Sequence, residues 1–241
     1  MTERGAAQLR RESSRLSIGP SEMHWTADSL EMSVNEVCAP LPRPVRGTIR
    51  LFPSALREDG FSLDGRGRHR WTPFAPRARI EVALAQPRVS WSGTGYFDSN
   101  CGTEPLESAF TDWTWSRASL PQSTIVLYDV NTRQAADESP AARLLALNFT
   151  ANGDVERIEP PPPAALPRTG WRVARRTRAD AGHAVRVIKT LEDAPFYSRT
   201  LLDTRLLGAR TPAIHESLDL NRFRAGWVQC LLPFRMPRIT F

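Results

Sequence analysis

Between Arg77 and Leu84 the chain alternates strictly: Ala78, Ile80, Val82 and Leu84 share one parity, and Arg77, Arg79 and Glu81 the other. An extended backbone turns successive side chains to opposite faces, so this period of two specifies an antiparallel strand with one buried and one solvated face. Long segments with the 3.6-residue period of an amphipathic helix are missing, and 20 prolines punctuate the chain. The fold class is therefore read as all-β. Asp64-Gly65, between FSL and RHRW, and Asn152-Gly153, between RLLALNFT and DVERIE, have the composition of tight hairpins. Further strands are expected in SRLSIG, RGTIRLF, STIVLYDV, WRVARR, HAVRVIK and WVQCLLPF. So many strands must close or stack to protect their edges, giving a barrel or a sandwich, one or two of them. The run Pro160 to Pro163 is incompatible with a central strand and reads as an extended connector. A domain boundary is placed around Ser108 to Trp113, where a glycine-rich, aromatic first half gives way to a second series of strands.

With 241 residues, 41% hydrophobic and 24% charged, the chain has the composition of a folded globular protein. The formal net charge is +6, nearly all of the cation is arginine, and Lys189 is the only lysine. The densest basic run, Arg172, Arg175, Arg176 and Arg178 beside Trp171, has the ingredients of a nucleic-acid groove. Its irregular spacing and the lack of any recognised binding motif favour a solvated strand face instead, so no nucleic-acid partner is expected. Cys38, Cys101 and Cys230 form no CxxC pair, which argues against a disulfide framework or a structural zinc site. The opening MTERGAAQLRRESS lacks the apolar core of a secretory signal, and no apolar run is long enough to cross a bilayer. The expected location is cytoplasmic, with the positive charge permitting peripheral contact with anionic headgroups at the cytoplasmic membrane face.

Two short motifs carry the chemistry. In RHRW, strand alternation puts His69 and Trp71 on one face and Arg68 and Arg70 on the other; in GTGYFDSN, Tyr96 and Asp98 share a face while Phe97 points away. A carboxyl, an imidazole, an indole and a phenol without a metal-ligand set or nucleotide loop suit acid-catalysed addition to an alkene. An isolated double bond is a poor base and needs a positioned proton donor, and the resulting tertiary cation needs a negative or π-rich surround. Burial would keep Asp98 protonated as the acid. Trp71 and Tyr96 would face the cation, an interaction worth about 0.5–2 kcal/mol per ring, leaving His69 to handle water. Each residue also has a purely structural explanation: an aromatic filling a core, a turn whose polar side chains bond backbone amides. His24 and His183 are read as surface or structural, and His215 in IHESLDLNRF is left open. Glu104 and Glu107 beside Asp98 allow a glycosidase-like reading, which lacks a sugar-binding arrangement.

The blocks MTERG, SIGPSEMHW, RGTIRLFP, GRHRWTPFAP, WSGTGYFDSNCGTEPLESAFTDWTWSRA and HESLDLNRF occur in this order, and through them the chain resembles the bacterial carotenoid 1,2-hydratases over nearly its whole length. The resemblance implies hydration of lycopene, neurosporene or related acyclic carotenes to 1-hydroxy-1,2-dihydro products, towards spheroidene- or spirilloxanthin-type pigments, with no cofactor or metal. It places catalysis on His69, Trp71, Tyr96 and Asp98, all present here, and Trp91, Asn100, Trp113 and Trp115 are expected to bind substrate. It also implies tandem lipocalin-like β-barrels of the AttH type, residues 1–110 carrying both motifs and 111–241 forming the second unit. Relatives carry additional sequence before the MTERG block, so the first barrel is expected to be incomplete; Cys101 and Thr103 stand in a loop where relatives often have an acid. The same fold binds lipophilic ligands without chemistry, so a carotenoid or lipid carrier is the competing expectation.

Overall fold

The structure, a computed structural model, describes residues 4–38, 41–133 and 143–235. The first sheet is an antiparallel meander of β1 (Leu9–Arg11), β2 (Arg15–Ile18), β3 (Ser21–Trp25), β4 (Leu30–Val37) and β5 (Pro44–Pro53), joined by β6 (Phe61–Ser62), β7 (His69–Gln86) and β8 (Val89–Gly102). The long β7 takes β5 and β6 along one side and β8 along the other. A single helical turn, α1 (Leu106–Ala109), leads into the second sheet. That sheet comprises β9 (Phe110–Ser119), β10 (Ser123–Thr132), β11 (Arg143–Thr150) and β12 (Val155–Arg157). After a separate two-stranded ribbon, β13 (Pro163–Leu166) and β14 (Arg175–Arg178), it is completed by β15 (Arg186–Asp193), β16 (Tyr197–Leu206) and β17 (Ala209–Asp219), in the spatial order β12-β11-β10-β9-β17-β16-β15. Two short helices follow, α2 (Leu220–Phe223) and α3 (Gly226–Arg235).

The all-β expectation holds, but among the described strands neither sheet closes into a barrel, because the outermost strands of each do not pair with one another. In the second sheet β12 has only three residues and β15 carries two bulges, features that leave a strand edge poorly suited to further pairing.

Both faces of the second sheet are covered. On one parity Trp115, Val126, Tyr128, Val130, Leu145 and Leu147 pack with Leu63 and Trp71 of the first sheet. On the other, Ala118, Ile125, Leu127, Leu202, Leu206 and Ala213 form a second core with Leu166 of the ribbon. Strands buried on both faces read as near-continuous apolar runs, which explains STIVLYDV.

Three local expectations are corrected. WVQCLLPF is not a strand but lies within α3: a short apolar run carries no distinguishing period, and among the side chains described there only Val228 is fully buried. In the Asp64-Gly65 turn, the glycine with positive φ is Gly67 (68°), and the Asp64 carboxylate gathers the backbone N–H groups of Arg66, Arg68 and His69 at 2.7–3.0 Å, stabilising a wider loop. The arginine run is a solvated face only in part: Arg172 and Arg176 are exposed, Arg176 pairing with Asp112, whereas Arg175 is 7% exposed and donates to the carbonyl of Pro167, and Arg178 pairs with Asp129. Alternation along β14 turns Arg175 inwards and Arg176 outwards. Pro163, by contrast, opens β13, the first position of an edge strand where a missing N–H is tolerated.

Arginines stitch the two sheets together. Arg77 of β7 donates to the carbonyls of Leu120, Pro121 and Ser123 in the β9–β10 turn at 2.6–3.3 Å; Arg143 donates to Ser62 at 2.9 Å, Arg117 to Gly95 at 3.1 Å, and Arg57 to Gly153. Each guanidinium presents several donors in a fixed plane, which suits clusters of orphan carbonyls at strand ends. Arg77→Met keeps the aliphatic stem and removes these bonds. It is expected to lower the free energy of unfolding by about 2 kcal/mol, measured by urea denaturation, and an unchanged midpoint would show that the Arg77 bonds contribute nothing to holding the seam.

Candidate active site

The site forms where β7 and β8 lie against the second sheet. Pro73 and Pro76 interrupt the β7–β8 ladder, whose register shifts between Thr72 and Ala75 and again between Ala75 and Ala78. Trp71 lies opposite Asn100, so Asp98 is its diagonal neighbour on the same face, and the bulge brings the two side chains together. The Trp71 indole N–H donates to Asp98 Oδ2 at 2.7 Å, and the Tyr96 hydroxyl donates to the same oxygen at 3.0 Å. Among the described residues no hydrogen bond engages Oδ1.

Burial pushes the Asp98 carboxyl above its ordinary range; the two donors pull the other way, the Glu216 charge adds to the rise and the Arg117 charge opposes it. Burial, together with the neighbouring carboxyl, likewise pushes the Tyr96 hydroxyl well up, so it stays protonated and donating. Tyr128 is raised by burial in the same way.

Aromatic rings enclose the carboxyl. Trp71, 0% exposed, meets Tyr128 edge-on at 5.5 Å and Phe61 at 5.5 Å; Tyr96 lies against Trp115 at 5.2 Å. Trp113 continues the wall between Tyr128 and Phe110, at 6.0 and 6.2 Å. His69 stands two residues before Trp71 on the same buried face, its ring edge-on to Phe110 at 4.8 Å. Among the described residues its two buried ring nitrogens have no partner, and it makes no bond to Asp98. A Cβ at Gly102, across the ladder, would lie 3.0–3.2 Å from that ring, so a larger residue there would press the ring to shift.

The structure thus joins Trp71, Tyr96 and Asp98 directly, sets His69 in the same cluster, and makes Trp113 and Trp115 part of its wall. Trp91 is half-exposed on the outer part of β8, opposite Val82, and Asn100 is exposed at the rim. Sequence reasoning missed Arg117, whose guanidinium lies 5.2 Å over the Tyr96 ring, and Tyr128 and Glu216. Arg117 shares the face of Trp113 and Trp115 on β9, and Glu216 lies opposite Trp115 on β17, held by Arg199 at 2.8 Å. The parity of the tryptophans in FTDWTWSRA was the available signal for Arg117. Among the described residues the buried Trp115 indole N–H has no acceptor. His215, left open above, is fully buried on the opposite face of β17 and meets Ser217 at 3.0 Å; burial and the charge of Arg175 lower its pKa to about 3, so it stays neutral.

Residues 1–240 match the family described as carotenoid hydratase CrtC. The chain belongs to this family. It is 51% identical over 240 residues to the acyclic carotenoid 1,2-hydratase of Thiocapsa roseopersicina, covering 99% of the chain and 58% of the relative, and 45% identical to that of Rubrivivax gelatinosus with the same 58% share. The chain therefore spans less than two thirds of the length of these two hydratases. The Cereibacter sphaeroides hydratase is 43% identical, with 84% of its length covered. In fold the chain is similar to an AttH-type protein of Nitrosomonas europaea, with a TM-score of 0.60 at 15% identity over 89% of this chain and 72% of that one. It is also similar to kievitone hydratase of Nectria haematococca, with a TM-score of 0.53 at 11% identity over 85% and 70%.

The raised proton affinity of Asp98 has a consequence for stability. As pH rises, the unfolded carboxyl ionises near its ordinary value of about 3.9 while the folded one still holds its proton, so the native state loses stability between that value and the raised one. Asp98→Asn cannot ionise yet can still accept both hydrogen bonds. Its melting temperature is expected to exceed the wild type's at pH 7, with the gap closing on acidification towards pH ~3; a gap independent of pH would contradict a protonated native carboxyl.

Proposed function

We propose that the chain hydrates the terminal carbon 1–carbon 2 double bond of acyclic carotenes such as lycopene and neurosporene, with Asp98 as the acid. The reading is carried by one observation: both donors to the Asp98 carboxyl fall on Oδ2, so the proton of the neutral acid belongs on Oδ1, which no group among the described residues engages. Family membership supplies the substrate class, since the curated relatives are named acyclic carotenoid 1,2-hydratases.

In this mechanism the Oδ1 proton passes to carbon 2 and the π electrons form the new C–H bond, leaving a tertiary cation at carbon 1. Trp71 and Tyr96 stabilise the carboxylate that remains through their bonds to Oδ2, and the electron-rich faces of the surrounding rings stabilise the cation. Water then attacks carbon 1. The proton it releases returns to Asp98, directly or through His69, whose unpartnered ring nitrogens can hold that water. Arg117 stabilises the carboxylate form and Glu216 the acid form, so together they set the strength of the acid. Residues 1–110 and 111–241 act as two lipocalin-like units with the site at their junction. Acyclic carotenes dissolve in hydrocarbon, and among the described residues no helix is long and apolar enough to cross a membrane. Under this reading the chain works at a membrane surface, on its cytoplasmic side, where such a substrate is held.

The test is incubation of the purified chain with lycopene or neurosporene in lipid, in heavy-oxygen water without added cofactor, followed by mass analysis. Labelled monohydroxy product is expected. Asp98→Asn should lower the rate about 10²–10⁴-fold, the usual contribution of a general acid, while carotene binding persists. Binding without product from the wild type, both alone and with the upstream sequence of a longer relative restored, would favour a carrier instead.

A further inference from the structure

Two tryptophans far apart in sequence meet on the surface beyond the site. Trp171, 45% exposed, and Trp227, 48% exposed, stack with ring centroids 6.3 Å apart and planes inclined by 24°. Solvent-facing aromatic stacks of this kind are costly to leave wet. Arg222 ties them together, donating to the Trp171 carbonyl at 2.7 Å while its guanidinium lies 5.8 Å over the Trp227 ring. Leu231, one helical turn along α3 from Trp227, is 39% exposed and extends the apolar strip. Val228, about a quarter-turn round the helix from Trp227, is fully buried and seats the helix.

Arginine predominates around this strip. Arg168 and Arg172 are exposed, and Arg168 donates to the Arg172 carbonyl, so both flank Trp171. Residues 166–178 and 220–235 contain no aspartate or glutamate. Asp193 and Asp219 lie beside the strip and are bonded to backbone: Asp193 accepts from the Trp171 N–H and Asp219 caps α2. Exposed indoles flanked by cations and an apolar strip are the composition of an interfacial anchor, in which the rings settle at headgroup depth and guanidinium groups bind lipid phosphates.

The strip is also continuous with the site. It joins α2, whose Leu220 and Phe223 pack in the same aromatic cluster as Trp71, Tyr128, Trp113 and Phe110. We propose that the face formed by Trp171, Trp227, Leu231, Arg168, Arg172 and Arg222 docks on an anionic bilayer and that the end of the carotene reaches the site from the bilayer past α2. The entry route rests on the hydratase reading; the docking does not.

Vesicle flotation tests the docking without any carotene. The purified chain is mixed with vesicles of phosphatidylcholine alone, or of phosphatidylcholine with phosphatidylglycerol, and floated at low and high salt. The wild type should float with the anionic vesicles and do so less at high salt. Trp171→Ser with Trp227→Ser should lower the partition coefficient by about tenfold or more. Arg168→Gln with Arg172→Gln should remove most of the preference for anionic lipid. Ile188→Ser, at another exposed apolar position on β15, should float like the wild type. Variants are compared only where far-ultraviolet circular dichroism and melting match the wild type; should the double tryptophan variant misfold, quenching of indole fluorescence by brominated lipid in Trp227→Phe against the wild type replaces it. The proposal fails if the wild type does not float, if the double variant floats equally well, or if the face instead mediates a lipid-independent dimer lost in the same variants. Hydration of detergent-dispersed carotene is assayed in parallel, so loss of activity with retained flotation would count against the hydratase reading alone.

Discussion

A carboxyl walled by aromatic rings holds its charge easily only when enough donors replace the water it has lost, and at Asp98 they do so in part. Two hydrogen bonds and a guanidinium are outweighed by burial and by the nearby Glu216, so the group keeps its proton to higher pH than an exposed carboxyl does. Much of the architecture serves this imbalance. The prolines of β7 break the ladder where Asp98 must swing towards Trp71, and the second sheet supplies Trp115, Tyr128 and Trp113 as an aromatic wall beside it.

The two sheets are held by different means at the centre and the rim. At the centre the contact is apolar and aromatic, worth most in burial. At the rim, the turns of one sheet point carbonyl oxygens at arginines of the other, and guanidinium groups satisfy several at a time. This division explains why arginine dominates the cationic composition usefully here: an ammonium group would reach one or two of these oxygens but would not match their planar spread.

The alternation in Arg77–Leu84 is directly visible in β7, because a half-buried antiparallel strand writes its two environments into alternate residues. The grouping of Trp71, Tyr96 and Asp98 was legible for the same reason, since parity within each strand decides which side chains share a face. What parity cannot convey is which strand lies opposite which. Arg117 reaches the site across the seam from β9, and Glu216 through the pairing of β17 with β9, strands about a hundred residues apart whose adjacency no local pattern encodes. Arg175 was misjudged because arginine composition suggests solvent, whereas the ribbon folds it onto Thr190 and Thr200. In α3 the error was one of length, an apolar run too short to show its period.

The placement of both hydrogen bonds on one oxygen of Asp98 has a stereochemical consequence. An acid anchored through Oδ2 by a ring on β7 and a ring on β8 cannot rotate to exchange its two oxygens without breaking both bonds. Under the proposed reaction Oδ1 therefore approaches carbon 2 from a single side, and the two hydrogens at that carbon in the product differ in origin, one carried in by substrate and one delivered to a defined prochiral face.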